Sequence, residues 1–292
     1  MSRPSPRCAV AAAAALALIA ALGACSPGNE SPRFLGKERV AVVLHNDLPG
    51  VSYSNNYRRS GIDFLIYEHL KKVTKTPFSD PGDVSSSERI RKLLEEDADL
   101  VIASFSITKD RMSKVDFVGP YLTTRQGFLV GPKNPHIKAE ADMRGKRVCT
   151  WEGTTSSDVI EEIKDTTGLA PAELDDASDC IEALIKGTTD AVSTDKAILY
   201  GFAQLHVEND LRVVREVTVG GPQHYGIAMR KDSRKDCRDI AEWMKRYVGT
   251  STWTQDMKTS LPLLAEKEPD WISDYKPNSA AIDARSCRDE LG

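Results

Sequence analysis

The sequence has no Cys-x-x-Cys pair, and its five histidines, His45, His69, His136, His206 and His224, show no ligand spacing. A metal site is therefore not expected. It also lacks a glycine-rich phosphate loop and an ordered Ser, His and Asp set, which removes the common nucleotide-binding and hydrolase signatures; no cofactor is expected. There is no basic excess: 39 Lys and Arg face 43 Asp and Glu, a formal net charge of −4. A mixed, mildly acidic surface is poorly suited to nucleic acid. No apolar run after residue 25 is long enough to span a bilayer. Repeats at solenoid periods are absent too.

What is present starts at the N-terminus. Met1–Arg7 carries Arg3 and Arg7 and no acid, and the 18 residues of Cys8–Cys25 carry no charge. A positive head, an apolar middle and small residues before a cleavage site make up a secretory signal, expected over 1–24. An uncleaved anchor is the competing reading, since ~18–20 apolar residues can span a bilayer. Leu22-Gly23-Ala24-Cys25 resembles the bacterial lipobox, which implies a lipoprotein in which the Cys25 thiol bears diacylglycerol with acyl chains such as palmitate. The expected location is the extracellular face of the cell membrane, lipid-anchored. Loss of the two arginines with the signal takes the formal charge to −6.

Six cysteines then reduce to four, because Cys8 leaves with the signal and Cys25 takes lipid. In an oxidising compartment Cys149, Cys180, Cys237 and Cys287 are expected to form two bridges, with three pairings possible. Sequence neighbourhood favours Cys149–Cys180 and Cys237–Cys287.

Residues 25–37, rich in Pro, Gly, Ser and Asn, read as a flexible spacer. Beyond it, apolar β-branched runs alternate with amphipathic stretches. Strands are expected at Arg39–Leu44, Asp99–Ser104, Gln126–Val130, Arg147–Thr150, Asp190–Ser193, Val213–Val219 and Tyr225–Met229. Helices are expected at Phe64–Val73, Ser87–Glu96, Ser156–Thr166, Ile181–Lys186, Lys196–Gln204 and Ile240–Val248. Such alternation predicts an α/β class with mainly parallel sheets. Residues 266–292 read as a polar tail held by Cys287.

The most specific block is Ala98–Val130. It supplies Asp99-Leu100, Ser104, Ser106-Ile107-Thr108, Arg111, Val115-Asp116-Phe117 and Pro120-Tyr121. Gly153-Thr154-Thr155 and Thr189–Asp195 follow in order, and Asn46-Asp47-Leu48-Pro49-Gly50 precedes them. Together these motifs resemble the extracellular solute-binding proteins of family 3, which serve polar amino-acid ABC transporters, and in particular a glutamate-binding-like branch. Cys149 and Cys180 look like that branch as well.

The resemblance implies a type II periplasmic-binding-protein-like fold: two lobes, a ligand cleft between them and two crossover strands. Lobe 1 would be 38–130 plus 222–265, lobe 2 132–220, with crossovers near Val130–Pro132 and Gly220–Pro222. It implies a non-enzymatic monomer that captures a glutamate-, aspartate- or glutamine-like amino acid and hands it to an ABC permease. A sensor on the same fold, signalling to a membrane partner, is the alternative, and a dehydratase-like enzyme a third class.

Zwitterion chemistry agrees. Both ligand charges need partners once they leave water. Arg111 offers a planar fork for the α-carboxylate, with Ser106 adding a hydroxyl. Thr154 and Thr155 open a helix whose positive end can face the same group. Asp195 is the candidate for the ammonium; its competing role is to N-cap the helix at Lys196. Ser104, Phe105 and Asp47 complete the expected ligand set, while Asp63 reads as a helix cap. Tyr53, Tyr57 and Trp151 are left between stacking and packing. Two departures stand out. Ser104 occupies a position where the family often has Gly, and Gly61-Ile62-Asp63-Phe64-Leu65 lacks the second acid of a Gly-Phe-Asp-x-Asp pattern. Ser106-x-x-Lys109 and Lys258-Thr259-Ser260 resemble fragments of penicillin-recognising enzymes, but runs this short recur by chance.

Overall fold

The computed structural model describes residues 33–291; the expected signal and Cys25 lie outside them. In chain order the strands are β1 (Val42–Leu44), β2 (Asp47–Leu48), β3 (Ser52–Asn55), β4 (Arg58–Ser60), β5 (Gly82–Asp83), β6 (Leu100–Ser106), β7 (Asp116–Val130), β8 (Arg147–Trp151), β9 (Ala170–Leu174), β10 (Ala191–Asp195), β11 (Arg212–Val213) and β12 (Val219–Met229). The helices are α1 (Ile62–Thr74), α2 (Arg89–Leu94), α3 (Lys109–Lys114), α4 (Thr155–Thr167), α5 (Ala177–Lys186), α6 (Lys196–Leu205), α7 (Arg234–Gly249), α8 (Ser251–Ser260), α9 (Pro262–Lys267), α10 (Trp271–Tyr275) and α11 (Ser279–Arg285).

One sheet runs β5-β1-β6-β12-β7-β10-β8-β9, with β11 on β7. At one end β1 lies parallel to β5 and β6; at the other β8 lies parallel to β9 and β10. Both ends are α/β units whose strands are covered by helices, which is why β6 and β10 are buried throughout. The long antiparallel strands β7 and β12 join them. Strand β7 pairs with β12 along Asp116–Arg125, then with β10 from Gln126 onward. Its 15 residues are almost continuously apolar or buried because it belongs to both ends. β12 extends the expected Tyr225–Met229 strand back to Val219, with register shifts at Val219/Pro222 and Tyr225/Ile227, whereas of the expected strand Val213–Val219 only the two end residues are strand, in β11 and β12.

Local chemistry sets the helix that matters most. Thr154 N-caps α4, its Oγ1 accepting from Ser157 N at 3.1 Å and donating to Trp151 O at 2.8 Å. The disulfides are Cys149–Cys180 and Cys237–Cys287, the pairing that neighbourhood favours.

Two stretches differ from expectation. Residues 266–292 are not a loose tail: α10 and α11 bury Trp271, Tyr275 and Ile282, and Trp271 stacks on Trp253. Arg285 and Ser286 bond to His224 and Gly119 on β12 and β7. The described end of the expected spacer, from Arg33, also docks on the body. Arg33 Nε donates to Asp236 Oδ1 and Phe34 N to Asp236 Oδ2, each at 2.7 Å, and Phe34 is buried.

Candidate ligand-binding site

Where the two ends of the sheet face each other, a narrow cavity is lined from one side by Leu48, Ser86, Arg89, Ser104, Ser106 and Arg111. From the other side come Trp151, Thr154, Thr155, Ser156, Thr194, Asp195 and Ile198. The sequence therefore placed Arg111, Ser104, Ser106, Thr154, Thr155 and Asp195 around one space.

Arg111 starts one turn after the Thr108 cap of α3 and reaches back over β6. Its Nη1 donates to Ser106 O and its Nη2 to Gly153 O, both at 3.0 Å. Among the described residues no carboxylate pairs with it. Burial lowers its pKa to about 10, so it stays charged at neutral pH. Phe105 is not at the cavity surface. It lies buried, with the Arg111 guanidinium 4.7 Å from its ring centroid.

Asp195 closes β10, buried at 4 % exposure. It makes no side-chain cap on α6, so the capping alternative falls away. Oδ2 accepts from Tyr225 OH at 2.5 Å, while Oδ1 is buried with no partner. Burial pushes its carboxyl up to about 6, against the hydrogen bond from Tyr225 and the pull of Arg111 and Arg89. Thr155 and Ser156 sit at the positive end of α4, whose first N–H groups have no helical acceptor.

Ser104 explains its own oddity: it adopts φ +44°, the left-handed region where glycine is at ease. Its N–H donates to Asp63 Oδ2 at 2.8 Å, and Tyr121 OH donates to Asp63 Oδ1 at 2.7 Å. Asp63 thus braces the floor of the cavity instead of capping α1, and burial pushes it to about 7 despite those two bonds.

Asp47 does not line the cavity. Its Oδ2 accepts from Ser178 N and Oγ at 3.2 and 3.4 Å, at the start of α5, and its Oδ1 lies 2.8 Å from His45 Nδ1. It spans the gap between the two ends of the sheet next to the cavity. Tyr53 lines a separate surface groove. Tyr57 is wholly exposed at the β3–β4 turn, while Trp151 is in the cavity wall.

The main residue the sequence did not yield is Arg89. It is fully buried, and its guanidinium donates to Ser86 O at 2.9 Å, Ala103 O at 3.0 Å and Gly153 O at 2.9 Å. It lies 4.4 Å from the Phe105 ring centroid. Burial, aided by Arg111, lowers its pKa to about 9. The charged residues of the cavity wall are then two cations and one carboxylate.

A two-ended sheet, a cavity between the ends with charged side chains in its wall and the Ser106–Arg111 motif beside them invite comparison with known proteins. The model of the bacterial extracellular solute-binding proteins, family 3, matches residues 40–260. The chain belongs to this family. Family 3 comprises solute-binding proteins. One relative is the glutamate-binding protein GluB of Corynebacterium glutamicum, 29% identical over 267 residues, covering 87% of this chain and 89% of that one. Another is the glutamine-binding protein GlnH of a Bacillus subtilis ABC transporter, 28% identical over 264 residues, 84% of this chain and 92% of that one. Among solved structures, an ancestral arginine-binding protein bound to arginine superimposes with a TM-score of 0.69 at 24% identity, covering 77% of this chain and 98% of the other. That likeness establishes the family 3 fold, a type II periplasmic amino-acid-binding architecture.

Proposed function

We propose that the protein captures an acidic amino acid, glutamate foremost, and delivers it to an ABC permease. The observation that carries this reading is the charge imbalance of the cavity. Among the described residues Arg89 and Arg111 have no carboxylate partner, and in the cavity wall only Asp195 opposes them, with one oxygen unpartnered. A ligand with two carboxylates and one ammonium balances that wall, whereas a neutral zwitterion leaves a buried cation uncompensated. In this reading Arg111 and the start of α4 hold the α-carboxylate, Asp195 Oδ1 takes the ammonium, and Arg89 attracts the side-chain carboxylate. The name of GluB supports the same substrate, and that of GlnH an amino acid of the same length with an amide in place of the carboxylate.

The two ends of the sheet act as lobes, 38–130 plus 222–265 and 132–220, that close on the ligand. Cys25 carries lipid and keeps the protein at the extracellular membrane face; Cys25→Ser is expected to release it into the medium.

Calorimetry on residues 26–292 with the common amino acids tests the binding function. Glutamate is expected to give the strongest binding, aspartate and glutamine weaker. Absence of heat with every amino acid would remove the reading.

A further inference from the structure

We infer that Asp47 is the closure latch of the cleft: a positioning residue on one lobe whose carboxylate takes the first N–H groups of α5 on the other lobe, and so holds the ligand in without touching it. This rests on the amino-acid site and the closing lobes proposed above.

The Asp47 carboxylate lies between two rigid supports. On its own side the turn is pinned. Ser52 Oγ donates to His45 O at 2.9 Å and Arg59 Nη1 to the same oxygen at 3.3 Å, while Asp47 pairs with Tyr53 in the β2–β3 ladder. His45 is 2 % exposed, with Nδ1 2.8 Å from Asp47 Oδ1 and Nε2 3.2 Å from Oγ of Ser86, a residue of the cavity wall. The latch is thus braced against the cavity it closes. Across the gap, α5 is tied to β8 by the Cys149–Cys180 bridge.

The start of α5 divides its donors between the two sides. Asp176 caps the helix locally, accepting from Asp179 N at 3.0 Å. Ser178 N, one of the four N–H groups that a helix start leaves without an internal acceptor, goes instead to Asp47 Oδ2 at 3.2 Å, joined by Ser178 Oγ at 3.4 Å. A carboxylate suits the positive end of a helix. Burial pushes the Asp47 carboxyl up, but the bond and charge of His45 and the N–H groups of Ser178 and Ala177 outweigh it and hold it below its ordinary value. It is therefore ionised at neutral pH. Asp175, Asp176 and Asp179 share the same helix start and repel a further acid, which keeps the contact reversible. A ligand contact would line the cavity, and a residue serving only its own turn would not reach α5. Asp47 joins two rigid bodies by a charged contact that lobe motion makes or breaks as a unit.

Asp47→Ala tests this by calorimetry and stopped-flow kinetics with glutamate and glutamine. Both ligands are expected to weaken by one common factor of about ten- to a hundredfold, the worth of a hydrogen bond to a charged group. The loss should come through faster release, with association little changed, and the melting midpoint of the ligand-free protein should stay at its wild-type value. Unchanged affinity would overturn the inference. So would an unequal loss, which would place Asp47 at the ligand, or a lower ligand-free midpoint, which would make it a residue of the fold alone. Should the variant not fold, the wild-type protein answers through amide hydrogen exchange read by NMR. The Ser178 amide is expected to exchange at least about tenfold more slowly with saturating glutamate, while the Asp179 amide, held by Asp176 with or without ligand, changes little; any other pattern would overturn the inference. Wild-type protein that binds neither amino acid removes the parent reading, whereas wild-type binding with an unaltered Asp47→Ala removes only this one.

Discussion

Arg89 and Arg111 converge on one carbonyl oxygen, that of Gly153, at 2.9 and 3.0 Å. Both also lie against the Phe105 ring, at 4.4 and 4.7 Å from its centroid. The two arginines come from one end of the sheet and Gly153 from the other, so like charges are gathered where the halves meet. Separating their roles is the first prediction. Arg111→Ala should weaken every amino acid at least a hundredfold, because each has an α-carboxylate. Arg89→Met should cost glutamate about ten- to a hundredfold and glutamine much less. An unchanged glutamate-to-glutamine ratio in Arg89→Met would deny Arg89 its role at the side chain.

Ligand affinity should fall on acidification. Asp195 must be ionised to hold an ammonium, and its carboxyl sits at about 6 in the ligand-free protein. Kd for glutamate is therefore expected to hold steady above neutrality and rise by up to tenfold per pH unit below about 6. Calorimetry between pH 4.5 and 8 reads this directly; a flat profile would mean that the ammonium is held elsewhere.

Stability without ligand should move the other way. Asp63 is raised from 3.8 to about 7, so between those values the folded state holds a proton that the unfolded chain has lost. The stability present below pH 4 is then lost as pH rises toward and through 7, at no more than about 1.4 kcal/mol per pH unit for one group. Urea midpoints from pH 4 to 8 should decline, and Asp63→Asn should flatten the decline.

Two glycines mark the approach of the two halves. A Cβ on Gly201 would lie 1.8 Å from Pro49 O, and one on Gly153, already at φ +73°, 2.5 Å from Ser87 Cα. Gly201→Ala touches no part of the cavity but opposes closure. It should weaken all ligands by one common factor of about ten or more, and small-angle scattering should no longer show compaction on adding glutamate. A ligand-selective loss would argue against a closure contact.

The Cys237–Cys287 bridge spans 50 residues and ties the segment just after α11 to α7. Cys237→Ser with Cys287→Ser should lower stability by roughly 3–4 kcal/mol in the chain-entropy model. Limited proteolysis should then cut first near Asn278, with glutamate binding retained because neither cysteine lines the cavity.

The sequence exposed the parts of the site that obey short-range rules. The Thr154 cap follows from capping chemistry, while the Ser106–Arg111 run and the acid ending a strand at Asp195 were legible through the family resemblance, and the cavity gathers all three. Arg89 was hidden because SERIRKLLEE scans as an ordinary amphipathic helix, in which an arginine belongs to the solvent face. Its burial depends on the carbonyls of Ala103 and Ser104, brought to it only by tertiary packing. Strand β9 (APAEL) was missed because it is a half-exposed edge with a proline. The tail was misread because polar composition outweighed three widely spaced core residues, Trp271, Tyr275 and Ile282. Ser104 was flagged from the sequence as a departure; its positive φ supplies the reason.

The docking of Arg33 and Phe34 onto Asp236 has a consequence for search geometry. If Cys25 carries lipid, residues 26–32 alone separate the anchor from the body. Seven residues reach at most about 25 Å. The binding body would then ride less than its own diameter above the headgroups and meet its permease by lateral diffusion in two dimensions. Encounter frequency would depend on surface density in the membrane, with the volume outside the cell dropping out of the rate.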